Sequence, residues 1–254
     1  MSIIPEYKYY FLPMYEYFSK NIANVNYFEF DHIYYTDNFS EDIFLFETPS
    51  NNDNLNALGT TILPNANIDS PIILINIKPH NDYQYAQILF HELLHVIDYM
   101  KFSDYFLDGK YDNIYKQKYF YTYKRWMEFK AHSMDELLAT QYIDYIENKN
   151  SFRSAMLSYD QYLYNYLKNQ AEYFEKEQIN DYDLVKILGK IYAFDKYNHT
   201  SCINDYLNIV INNKCLLANL YELYHLYIVS DQNQNIFSNL NKIQNVERCI
   251  FGDL

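Results

Sequence analysis

The sequence predicts an α+β fold that is predominantly helical, and three observations predict it. Strand-like runs, of which "PIILINIK" at residues 71–78 is the strongest, all lie in the N-terminal part of the chain. From about residue 119 onward the pattern is helical, interrupted only by polar turn runs such as "ENKNS", "QINDYD", "DKYNHTS" and "SDQNQN". Between these regions stands "QILFHELLHVIDYM", residues 87–100, which is apolar nearly all round a helical wheel, as a helix inside a domain is.

Composition narrows the classes. A chain of 254 residues can build a substantial core without disulfides. Its 49% hydrophobic content, with 31 Tyr and 17 Phe, is incompatible with a disordered chain. A net charge of −13 repels phosphate backbones and anionic lipid surfaces, so no nucleic-acid partner is expected. No apolar run reaches the length of a membrane span, and the N-terminal stretch lacks the pattern of a signal peptide. A soluble, cytoplasmic protein is therefore expected, although export by a specialised route would leave no trace here. Cys202, Cys215 and Cys249 are widely spaced and form no paired motif, which argues against a thiolate metal site.

The elements follow in order. Residues 5–24 have helical patterning. From 27 to 49, "IYYTD" and "DIFLFETP" read as short strands separated by Asp, Asn and Ser. "SNNDNLN" at 50–56 is a loop, "ALGTTILPNANIDS" a strand and turn, and "PIILINIK" the next strand. Asn81 or Asp82 can cap the helix leading into residues 87–100. A connector without strong periodicity runs to about residue 115, and helices are predicted over 119–147, 151–178, 181–196, 203–227 and 236–247. This layout suggests a mixed α/β part at 1–147 and a helical subdomain at 148–254.

The polar residues of the buried helix form one stripe. With His91 at zero and about 100° per residue, His95 falls at about 40°, Asp98 at about −20° and Glu92 at about 100°. "HELLH" is the H-E-x-x-H pattern. Two imidazoles four residues apart can reach one zinc ion, and the intervening Glu sits beside a water that the metal makes more acidic. His91 and His95 are thus candidate zinc ligands and Glu92 the candidate general base. Asp98, on the same stripe, could hold the distal nitrogen of a ligand histidine.

A catalytic zinc needs a third protein ligand and an open position. The helix predicted over "YTYKRWMEFKAHSMDELLATQY" offers Glu128, His132, Asp135 and Glu136. Relative to Glu128, Tyr121 and Asp135 lie about 20° away, His132 about 40° and Glu136 about 80°. This geometry favours Glu128, while a tilted helix would favour Glu136. Trp126 falls nearly opposite the stripe and is expected in the core. His80 is expected in a loop, and His32, His199 and His225 have no partners at metal spacing.

"HELLHVID" followed by "EFKA" resembles the gluzincin metallopeptidases, and within them the lethal-factor and Pro-Pro endopeptidase group. The resemblance covers about residues 57–142. It implies a zincin-like core, Zn2+ as cofactor, a protein or peptide substrate, and Glu128 as third ligand. It also places Tyr121, seven residues before that glutamate, as a donor to the oxyanion. The strands over 57–76 look like the pair that precedes the active helix, of which the second can align an extended peptide. Two departures stand out: His132 occupies a position usually acidic in that group, and the gap between the two motifs is short. Asp98, His132 and Asp135 are candidates for orienting the ligands. The expected activity is zinc-dependent endopeptidase hydrolysis. The rival expectation is a non-catalytic regulatory or binding protein that holds a structural metal.

Overall fold

The computed structural model describes residues 7–22, 28–46, 57–65, 68–78, 81–147, 152–174, 180–198, 201–211, 213–233 and 235–252. The fold is α+β and mainly helical, with one small three-stranded sheet. Two compact units make up the chain. The first comprises Met1–Ile114 and Asp135–Lys149, the second Tyr115–Met134 and Asn150–Leu254. Of the three division points, the one after Lys149 lies near the expected boundary after residue 147, one follows Ile114, and one falls inside a long helix.

In the first unit, helix α1 (Tyr7–Asn21) leads to strand β1 (Ile33–Thr36), the short helix α2 (Phe39–Asp42), strands β2 (Gly59–Ile62) and β3 (Ile72–Asn76), and helix α3 (Asp82–Leu107). The strand order is β1-β3-β2, with β1 parallel and β2 antiparallel to β3. Paired residues share a face, so Gly59 and Thr61 lie with Ile75 and Ile73, and Ile62 lies with Ile72. The Ile62 face packs on Phe39, Ile43 and Phe46. The opposite face carries α3, whose own outer flank stacks on α1 through Phe90 and Phe18, with ring centroids 5.4 Å apart.

Several sequence expectations are corrected. The run 42–49 was expected to be a strand, yet Phe39–Asp42 is α-helical and Ile43–Leu45 is a 3-10 turn. Phe39, Ile43 and Phe46 recur at helical spacing, and burying that stripe on the sheet outweighs the β-propensity of Ile and Phe. Helix α3 does not stop near Met100. Phe102 and Ser103 remain buried, and the helix continues to Leu107, where Asp108 adopts a left-handed conformation (φ 53°). Its start is held by Asn81, whose side chain accepts from the Gln84 backbone N–H while the Gln84 side chain accepts from Asn81. The loop expected at 50–56 and His80 lie outside the described residues.

The second unit contains the N-terminal part of α4 (Phe120–Glu147), and α5 (Phe152–Phe174), α6 (Asp181–Asn198), α7 (Ile203–Val210), α8 (Lys214–Gln232) and α9 (Ile236–Phe251). The single helix expected over 203–227 is broken in two, because Asn213 caps a new helix by accepting from the backbone of Cys215 and Leu216. Trp126 is buried, its indole N–H donating to the Tyr227 carbonyl at 3.4 Å. Helix α6 meets α4 at Gly189, where an added Cβ would stand 2.6 Å from the Phe129 carbonyl oxygen and 2.9 Å from His132 Cβ.

In the same unit, α9 inserts Glu247 with no exposed surface. Its Oε2 accepts from Thr122 Oγ1 at 2.8 Å and Arg125 Nη1 at 3.0 Å, and its Oε1 accepts from Tyr227 at 2.8 Å. Arg125 also donates through Nε to Asp181 at 2.9 Å. Burial pushes the Glu247 carboxyl up to about 7, against the opposing pull of Arg125 and the hydroxyl donors.

Two outcomes are expected. A carboxyl raised from 4.5 to about 7 keeps a proton on the folded chain that the unfolded chain has lost. Its contribution is therefore present below the unfolded value and declines as pH rises to about 7, by up to about 3 kcal/mol. Denaturant midpoints of wild type and Glu247→Gln, measured from pH 5 to 8, should differ in slope with the wild type falling more steeply. Gly189→Ala should destabilise the protein by about 1–3 kcal/mol by forcing α6 off α4, as read by the same denaturation.

Candidate functional site

Helix α3 carries the stripe that the sequence singled out, and its burial gives that stripe its chemistry. Glu92, His95 and Asp98 are buried and His91 is half-buried among Leu89, Phe90, Leu93, Leu94 and Val96. Polar groups in such surroundings are costly unless each finds a partner.

The two imidazoles face each other. His91 Nε2 and His95 Nε2 are 3.0 Å apart, and the ring planes stand at 85°. His91 Nδ1 lies 2.9 Å from Asp135 Oδ2. An ionised carboxylate only accepts, so His91 gives its Nδ1 proton to Asp135 and its Nε2 is left as an acceptor. Asp98 lies 3.8 Å from Lys101 Nζ, and the distal nitrogen of His91 is reached from α4 by Asp135.

Glu92 is reached from the sheet. Thr61 Oγ1 lies 2.9 Å from Glu92 Oε2 and 3.1 Å from the Glu92 carbonyl. Two residues earlier on the same face, a Cβ on Gly59 would lie 2.9 Å from Ile88 Cγ2 and 3.1 Å from Glu92 Cγ. The strand rests on the helix at backbone distance. Strands β1 and β2 form the two edges of the sheet, β2 being the one beside Glu92, while β3 is paired on both sides. The expectation that the second strand could align a peptide is thereby corrected: the open edge beside Glu92 belongs to β2, whose only strand partner among the described residues is β3.

On α4, Glu128 is partly buried, with Oε2 3.9 Å from His132 Nε2 one turn later. His132 Nε2 lies 3.3 Å from the Tyr182 hydroxyl. Glu136 has its carbonyl engaged by Thr140 at 2.8 Å and by Tyr83 at 3.4 Å. Tyr121 stands in the first turn of α4 and is 58% exposed, its ring against Phe120. Among the described residues of the first unit, the side chains that could contribute to holding a metal ion are His91, His95 and Asp135.

Sequence reasoning missed Gly59, Thr61, Tyr182 and Gly189. Two of these had a signal. In a chain with 4 glycines, one inside a strand and one inside a helix mark close approach of another backbone. Thr61 and Tyr182 carry no local mark, since their partners are set by tertiary approach.

Compared with family models, with curated proteins and with solved structures, the chain finds no match.

The spacing of the two imidazole nitrogens is compatible with a tetrahedral metal ion such as zinc. Two nitrogens bound tetrahedrally at about 2.0–2.1 Å from zinc would lie about 3.3 Å apart, and the His91–His95 separation of 3.0 Å needs only a small opening. Asp135→Ala should therefore lower zinc affinity by about 10–100-fold, as measured by competition with a chromogenic chelator.

Proposed function

We propose that this chain is a zinc-dependent endopeptidase with a zincin-like core of the gluzincin type. The observation that carries this reading is the convergence of His91 and His95 Nε2 at 3.0 Å on a buried helix, with Glu92 between them in sequence and seated against an edge strand.

His91 and His95 would hold the metal, with Glu128 as third ligand. Support for Glu128 comes from α4 itself: it precedes Asp135 by two turns on nearly the same face, and Asp135 reaches His91. When bound, zinc supplies Lewis acidity to water and to the substrate carbonyl. Glu92 accepts the proton that water loses on attack and returns it to the departing amine. Asp135 fixes the orientation of His91. Tyr121, at the solvent-facing start of α4, is positioned to act only on a substrate that covers it, and is assigned the oxyanion role on the resemblance alone. The outer edge of β2 offers backbone donors and acceptors to an extended peptide.

No described helix is long and apolar enough to cross a membrane, and the substrate is proposed to be a protein or peptide.

The test begins with elemental analysis of wild type and His95→Ala prepared without added metal. About one zinc per chain, lost in the variant, is expected. Wild type should then cleave members of an unbiased peptide library, and Glu92→Gln should retain zinc while losing about 10²–10⁴-fold in turnover. Unchanged turnover in Glu92→Gln would sink this mechanism. Zinc held without cleavage of any peptide would instead favour a regulatory protein with a structural metal, whose shell His132 or Asp135 would close.

A further inference from the structure

The reading of Glu92 as the proton-transferring group leads to a question that its surroundings answer: what determines which carboxylate oxygen does the transfer? A glutamate has three side-chain torsions, and the last is broad. On a helix nothing intrinsic aims the carboxylate. Here the aim comes from β2.

Thr61 Oγ1 is 2.9 Å from Oε2 and 3.1 Å from the backbone carbonyl of Glu92. One hydroxyl proton has two acceptors within reach, and the charged one makes the stronger bond. Oε1 lies 3.3 Å from the point where a side chain on Gly59 would begin. Gly59 and Thr61 are two apart in one strand and so lie on the same face, both towards α3. Any larger residue at 59 would collide with Ile88 and with the Glu92 stem. One strand thus supplies both the donor that occupies Oε2 and the gap beside Oε1.

We propose that Thr61 and Gly59 are positioning residues for Glu92: the Thr61 hydroxyl holds Oε2, and the missing side chain of Gly59 leaves Oε1 as the oxygen that carries the proton. In the step this serves, an O–H bond of water breaks and its proton passes to Oε1. The water oxygen bonds to the carbonyl carbon as the C=O π pair moves onto the carbonyl oxygen, and that pair later returns to re-form C=O. The C–N bond then breaks with its electron pair on nitrogen, which takes the proton from Oε1. This assignment rests on the peptidase reading above, and its test separates the two.

Thr61→Val, close in shape to threonine, should hold as much zinc as wild type. Its kcat on a peptide selected by wild type from the library should fall by about 10–100-fold, with KM within about twofold. Thr61→Ser, which keeps the hydroxyl, should recover most of the loss. Gly59→Ala should lower kcat in the same way. In the metal-free protein, melting temperatures of Thr61→Val, Glu92→Met and the double variant form a cycle independent of activity. The double variant's shift should fall short of the sum of the singles.

Additive shifts, or a Thr61→Val enzyme with wild-type kcat, would overturn the assignment while leaving the peptidase reading intact. A wild type that holds zinc and cleaves nothing would overturn the peptidase reading and the proton role together. Non-additive shifts in that case would still support Thr61 as the residue that holds the Glu92 carboxylate.

Discussion

Burying a polar stripe on an apolar helix is the constraint from which the rest of the first unit follows. His91, Glu92, His95 and Asp98 enter a low-dielectric interior on α3, where an unpartnered polar group costs far more than a hydrogen bond returns. Their partners arrive from different directions. Thr61 comes from the sheet, Asp135 from α4 and Lys101 from the next turn of α3, while the two histidines meet each other. The sheet can supply its donor only if β2 approaches α3 at backbone distance, and that approach requires the missing side chain of Gly59. One glycine thus sets the seating of strand on helix, and the seating satisfies the carboxylate.

The second unit uses the same device for a different end. Gly189 lets α6 lie against α4 at Phe129 and His132, beside the turn that bears Glu128. Nearer the start of α4, Glu247 ties α9 to α4 through Thr122 and Arg125 and to α8 through Tyr227. A buried carboxylate with three donors is a positional lock more than a source of net stability, since desolvation offsets much of its attraction to Arg125. The α4 segment 120–134 is consequently held by α6, α8 and α9. Such a segment suits a side chain, Glu128, whose proposed task depends on staying put.

How much of this was legible depended on whether the cause was local. The α3 stripe could be read because polar residues in a 3.6-residue period stand out against an apolar wheel, and a cap at Asn81 or Asp82 could be read from residue type and place, of which the structure uses Asn81. Strand β3 was legible as a continuous apolar run. The segment 39–46 misled because its composition is strand-like while its spacing, Phe39, Ile43, Phe46, is helical. Spacing was the better guide. The extension of α3 to Leu107 and the break before α8 turned on single residues, Asp108 and Asn213. Strand order could not be read at all: β2 and β3 are both plausible edges until the pairing of β1 with β3 decides the matter. Thr61 was invisible for the same reason, since a threonine in a strand has no mark until the helix beneath it is known.

Strand β2 occupies two directions at once, and the geometry of a strand keeps them apart. Side chains alternate across the sheet, so residues 59 and 61 face α3 while 60 and 62 face away. Backbone N–H and C=O groups instead point within the plane of the sheet, towards β3 on one side and outward on the other. The seat of Glu92 and the open edge are therefore perpendicular features of the same four residues. A peptide paired along that edge would sit one strand spacing, about 4.8 Å, from β2, and its register would be referred to the residue that holds the carboxylate. The distance between a scissile bond and Glu92 would then be governed by sheet and helix packing, which deform little, and not by a loop. On the proposed reading, this is why the donor to Glu92 comes from a strand: it makes substrate alignment and orientation of the base a single structural variable.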